Sequence, residues 1–154
     1  MKINATFMLS LAAVLLCLGS LQGCDSSGQS PEEHNKETVI AFYNAAINDK
    51  DFEAASQYLG DKYIQHNPLA ADGPEGLKAF LEFAKANLGE FRVEFKRVLA
   101  DGDFVVVHSH ARANPDDRGS AVMDIFRLEN GKVVEHWDVI QAIPETAMNT
   151  NGMF

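Results

Sequence analysis

The sequence predicts an α+β domain: three helices at the N-terminal side, packed on a curved antiparallel sheet of four strands that forms a cone. Three observations carry this. Apolar residues recur at helical spacing up to about residue 85, as in Val39, Phe42, Tyr43, Ala46 and Ile47. After Gly89 the period falls to two, with Phe91, Val93 and Phe95 alternating with Arg92, Glu94 and Lys96. Turn dipeptides then punctuate the chain, Asn130-Gly131 most strongly. Helices first and strands afterwards describe a sheet with helices on one face.

The 154 residues suit one domain of common size, preceded by a leader. Lys2 and the apolar run from Phe7 to Leu18 read as a secretory signal. The run is shorter than the roughly 17–25 apolar residues that span a bilayer. It ends in Leu21-Gln22-Gly23-Cys24, which resembles the bacterial lipobox. That resemblance implies cleavage after residue 23, lipidation of Cys24, and an exported lipoprotein held on the periplasmic side of the cell envelope. Cys17 leaves with the signal, so the mature domain has no thiol for a disulfide or a metal. Residues 24–35 read as a polar tether and 36–154 as the domain. The tether's end doubles as a helix start, with Ser30, Pro31 and Glu33 forming a capping box.

A shorter second helix begins at Asp51, carries Phe52, Ala55, Tyr58 and Leu59, and stops at Gly60. The third follows Gly73-Pro74, with Leu77, Phe80, Leu81 and Ala84 on one face. The strands run from Phe91, from Phe104 to Ala113, from Ala121 to Leu128 and from Lys132 to Ile143, which Pro144 closes. The tail after Glu145 has no periodicity.

Charge excludes one class of partner. With 13 Lys and Arg against 22 Asp and Glu, a phosphate backbone would be repelled, so no nucleic acid is expected. No Gly-x-Ser-x-Gly elbow, helical His-x-x-x-His pair or Gly-rich phosphate loop is present. No cofactor and no metal are expected, and His108-x-His110 is a weak ligand pair.

The candidate chemistry is acid–base. His66 lies in a loop between the second and third helices, His108 and His110 in the second strand, Asp124 in the third, and His136 and Asp138 in the fourth. A carboxylate among apolar neighbours has a raised pKa, and a histidine beside it can orient it. The alternative is that His108 and His136 face solvent and Asp124 caps a strand end. Alternation puts His136 and Asp138 on one face and Trp137 on the other. A tight Asn130-Gly131 hairpin would give Asp124 the face of Trp137, whereas a bulge would give it the face of Asp138.

Three stretches, Tyr63-Ile64-Gln65-His66-Asn67-Pro68, Gly73-Pro74-Glu75-Gly76-Leu77 and the hairpin from Asp124 to His136-Trp137-Asp138, resemble SnoaL-like proteins of the nuclear-transport-factor-like, cystatin-like superfamily. The likeness covers about residues 35–154. It implies a cone-shaped fold and a cofactor-independent aldol cyclase or isomerase acting on a small apolar carbonyl compound. Asp138 matches the family's aspartate, and the family's histidine has no secure counterpart. On this reading Asp138 is the general base, His66 and His110 polarise or position the substrate, and Asp124 supports them. Tyr63, Asn67, Phe126 and Trp137 then shape the pocket. Analogy with the family also implies a homodimer. The competing expectation is a non-catalytic module at the envelope that binds a small molecule or assembles with a partner.

Overall fold

The computed structural model describes residues 28–154, so the signal, Cys17 and Cys24 lie outside the described residues. Helix α1 spans Pro31–Tyr43. Ser30 caps it by accepting the Glu33 amide at 3.2 Å. The five residues from Pro31 to Asn35, read above as tether, therefore form its first turns, and Asn35 is buried. The helix continues without a break into a π-helical turn, Asn44–Asn48. Next come α2 (Phe52–Ser56), β1 (Leu59–Gln65), α3 (Gly73–Asn87), β2 (Arg92–Asp101), β3 (Phe104–Arg112), β4 (Ser120–Glu129) and β5 (Lys132–Ala142).

The sheet has five strands in the order β1-β5-β4-β3-β2, where four were expected. The additional strand, β1, occupies residues assigned to the end of the second helix and to a loop. It pairs in parallel with β5, Leu59 beside Val133 and Gln65 beside His136. Gly60, Asp61 and Lys62 break any apolar alternation there, so the pairing with a segment some 70 residues away makes the strand. The other three pairings are antiparallel. The helices cover the inner face, where Val39, Phe42 and Leu81 pack against Val105, Val107 and Phe126, all at most 2% exposed.

The β4–β5 hairpin turns as its sequence requires. Asn130 (φ 52°) and Gly131 (φ 71°) both lie in the left-handed region, which matches a two-residue type I′ turn. The first pairs are Glu129 with Lys132 and Leu128 with Val133, but Arg127 then pairs with Glu135. Val134 is thus an extra residue on β5. Both Val133 (0%) and Val134 (2%) point inward, and the parity of the strand flips beyond them. Asp138 consequently pairs directly with Asp124.

Candidate active site

Between the helices and the inner face of the sheet lies a cavity of about 370 Å³. Its walls are largely apolar, among them Phe42, Leu77, Phe80, Val122 and Phe126. Into it point Asp124 from β4, His136 and Asp138 from β5, Tyr43 from the end of α1 and Tyr63 from β1. The Val134 bulge brings the two aspartates to one face.

Asp124 is 1% exposed. Loss of water raises its pKa, and hydrogen bonds from His136 and Tyr43 oppose that rise in part. The Tyr43 hydroxyl stands 3.2 Å from both carboxylate oxygens. His136 Nε2 lies 3.1 Å from Oδ1. On the far side of the ring, Nδ1 meets Gln65 Oε1 at 3.1 Å.

Partners assign the protons here. Gln65 Oε1 also accepts the backbone amide of Asn67 at 2.9 Å, so it is the oxygen and Nδ1 of His136 carries a hydrogen. One further proton is then shared between His136 Nε2 and Asp124 Oδ1, on the nitrogen as an ion pair or on the oxygen as a neutral pair. Gln65 Nε2 donates to the Tyr63 hydroxyl at 3.3 Å. The Tyr63 O–H itself donates to no group among the described residues. Burial first, and then the nearby Asp124 and Asp138, push the pKa of Tyr63 far above its ordinary value, which keeps it a neutral donor. Tyr43 is raised likewise, by burial and then by Asp124.

Asn67 holds Asp138. Its Oδ1 accepts the Leu69 amide at 2.8 Å, which turns Nδ2 towards the carboxylate, 2.9 Å from Oδ1 and 2.8 Å from Oδ2. Asp138 is half-buried, with both oxygens acting as acceptors beside the shared proton of Asp124 and His136. Donor atoms of Asp124, His136 and Asp138 also fall within 4.8 Å of one another, the one trio among the described residues arranged to take a metal ion. Asp124, His136 and Asp138 each have a hydrogen-bond partner within the site.

Of the residues singled out from the sequence, Asp124, Asp138, Tyr63, Asn67 and Phe126 meet in or around this cavity. His66, His110 and Trp137 do not. Trp137 lies on the outer face of the sheet because the bulge sends it there. His66 stacks on Trp137 with ring centroids 4.6 Å apart, and its Nε2 sits 2.9 Å from Glu135. His110 belongs to the outward set of β3, with Nε2 2.8 Å from the Arg118 carbonyl and the Phe154 ring against it. His108 shares that face, beside Arg97. The site's histidine is instead His136, whose ring also stacks on Phe126. Its shared face with Asp138 was the available signal. Tyr43 and Gln65 gave none, since one reads as helix core and the other as loop.

The fold agrees with comparisons to known proteins. Residues 39–136 match the SnoaL-like domain family. No curated protein sequence matches the chain. Among solved structures, TsrD from Streptomyces laurentii is 22% identical, with a TM-score of 0.59 over 73% of this chain and 91% of its own. A putative polyketide cyclase from Bacillus cereus is 21% identical, with a TM-score of 0.61 over 73% and 78%. An LEH-like epoxide hydrolase from M. tuberculosis is 23% identical, with a TM-score of 0.57 over 70% and 83%. These likenesses establish the shared cone of helices on a curved sheet. With the family match spanning most of the described fold, the chain belongs to the SnoaL-like domain family.

Proposed function

We propose that the chain is a lipid-anchored, cofactor-independent acid–base enzyme that enolises a small, largely apolar carbonyl compound at the cell envelope. The observation that carries this reading is the opposition of Asp138, an acceptor at both oxygens, to the proton shared by Asp124 and His136 inside an apolar cavity. Asp138 removes a proton from the carbon next to the carbonyl. The electron pair moves onto the carbonyl oxygen, where the free Tyr63 O–H donates a hydrogen bond to it. Asn67 aims Asp138, and Tyr43, His136 and Gln65 hold Asp124 and Tyr63 in place. The enolate carbon either attacks a second carbonyl of the same molecule, whose oxygen then takes up the proton held by Asp138 to give the aldol, or takes that proton back at another carbon, an isomerisation. The putative polyketide cyclase among the structural neighbours makes the first outcome the preferred one.

Anchoring rests on the Leu-Gln-Gly-Cys24 motif and the apolar run before it. No helix among the described residues is long and apolar enough to cross a membrane. Replacing Cys24 by Ser moves the protein from the membrane to the soluble fraction on this reading.

Exchange of α-hydrogens for deuterium, followed by NMR over a panel of small ketones and diketones, tests the chemistry without knowledge of the natural substrate. Asp138→Asn is expected to slow exchange by about 10²–10⁴-fold, the range for loss of a positioned general base. Equal rates in wild type and Asp138→Asn would leave a non-catalytic small-molecule binding module.

A further inference from the structure

The start of helix α1 and the mouth of the cavity lie at opposite ends of the fold. Helix α1 starts beside the β2–β3 and β4–β5 hairpins: Asn35 Nδ2 donates to the Gly102 carbonyl at 3.1 Å, and a Cβ added to Gly131 would stand 2.9 Å from His34 Nε2. The helix and its π turn finish at the other end of the sheet. There the Asn48 side chain bonds the Val93 amide and carbonyl at 2.8 and 3.0 Å, and Lys50 Nζ reaches the Phe91 carbonyl at 2.9 Å. The cavity opens at that second end, between Leu69, Ala113, Asp117, Gly119 and Ile140. Leu69 is 94% exposed there.

Covalent reach then limits how the domain can sit. The chain between Cys24 and Ser30 spans at most about 20 Å when fully extended. From Pro31 to Asn48 the helical segment alone covers about 27 Å. Placing the mouth on the bilayer would require the tether to run back past the whole length of that helix, and it is too short.

We propose that the domain stands on the membrane with its β2–β3 and β4–β5 hairpins towards the lipid and its cavity open to the aqueous compartment. Its ligand therefore arrives from water, as a dispersed small carbonyl compound, and is not drawn from the bilayer. This inference rests on the anchoring of Cys24 proposed above and is independent of the reaction catalysed.

The full, lipidated chain provides the test. Once the signal is removed and Cys24 is blocked by lipid, a single introduced cysteine can be labelled alone. Fluorophores at Asp103→Cys, in the hairpin end, and at Asp116→Cys, in the exposed loop at the mouth, are compared on phosphatidylethanolamine–phosphatidylglycerol vesicles containing headgroup spin-labelled lipid. Strong quenching at position 103, with position 116 near its value on unlabelled vesicles, is expected. Equal or stronger quenching at 116 overturns the orientation. Failure of the wild-type chain to float with the vesicles overturns the anchor itself and the orientation with it, and a flotation step before the fluorescence tells the two failures apart.

Discussion

Asp124 gathers most of the residue-scale energetics of the site. A carboxyl group this deeply buried stays charged only with partners, and Tyr43 and His136 are the partners present. Because its folded pKa lies above the ordinary 3.8, the folded state binds this proton more tightly than the unfolded chain does. The resulting stability is complete below the unfolded value and is lost as pH rises through the folded one. Urea unfolding of wild type and Asp124→Asn across that window should show the wild type losing stability relative to the variant as pH increases. Parallel profiles would mean that Asp124 has no raised value. Tyr63→Phe removes a cavity hydroxyl whose proton goes to no group among the described residues, and leaves the ring packed. It should lower kcat for α-hydrogen exchange by about 100-fold, the low end of what one oxyanion donor supplies, with little change in thermal stability. A fall in stability with kcat unchanged would make Tyr63 a packing residue only.

At the scale of elements, the inserted Val134 decides which chemistry faces inward. A regular two-residue hairpin would have put Trp137 opposite Asp124 and turned His136 and Asp138 to the outer face. Deleting Val134 should therefore abolish exchange, whereas Val134→Ala, which keeps the register, should retain it at a stability cost of about 1–3 kcal/mol, judged by urea denaturation. Full activity in the deletion variant would show that the bulge does not set the site. Helix α1 is governed by local chemistry instead. Ser30→Ala should cost about 1 kcal/mol through loss of its cap, measured the same way. The capping residues, the Asn-Gly turn and the period-two strands were legible in the sequence because each depends on neighbours a few positions away. Strand β1 was not, since its partner lies in β5 and its own residues carry no alternation.

For the whole molecule, the curved sheet has an inner face that holds the site and an outer face that remains apolar in part. Leu99 and Val139 on that outer face are 63% and 69% exposed, and Phe104, Met123 and Ile125 add to the patch. A contiguous patch of this kind suits pairing of two copies sheet to sheet. Val139→Glu should convert any dimer seen by sedimentation to monomer, and a wild type that sediments as a monomer at all concentrations would remove the pairing proposal. His66, His108, His110 and Trp137 belong to this face, which is why histidines that looked catalytic in the sequence stand apart from the cavity.

By itself the sequence determined the fold class, the caps, the hairpin turn, and Asp124 and Asp138 as residues to watch, because periodicity and capping are written in short-range spacing. Only the tertiary structure decided that β1 joins the sheet and that His136, Tyr43 and Gln65 complete the site. The physical reason is that a single inserted residue reverses strand parity, and that burial and long-range pairing arise from segments far apart in the chain.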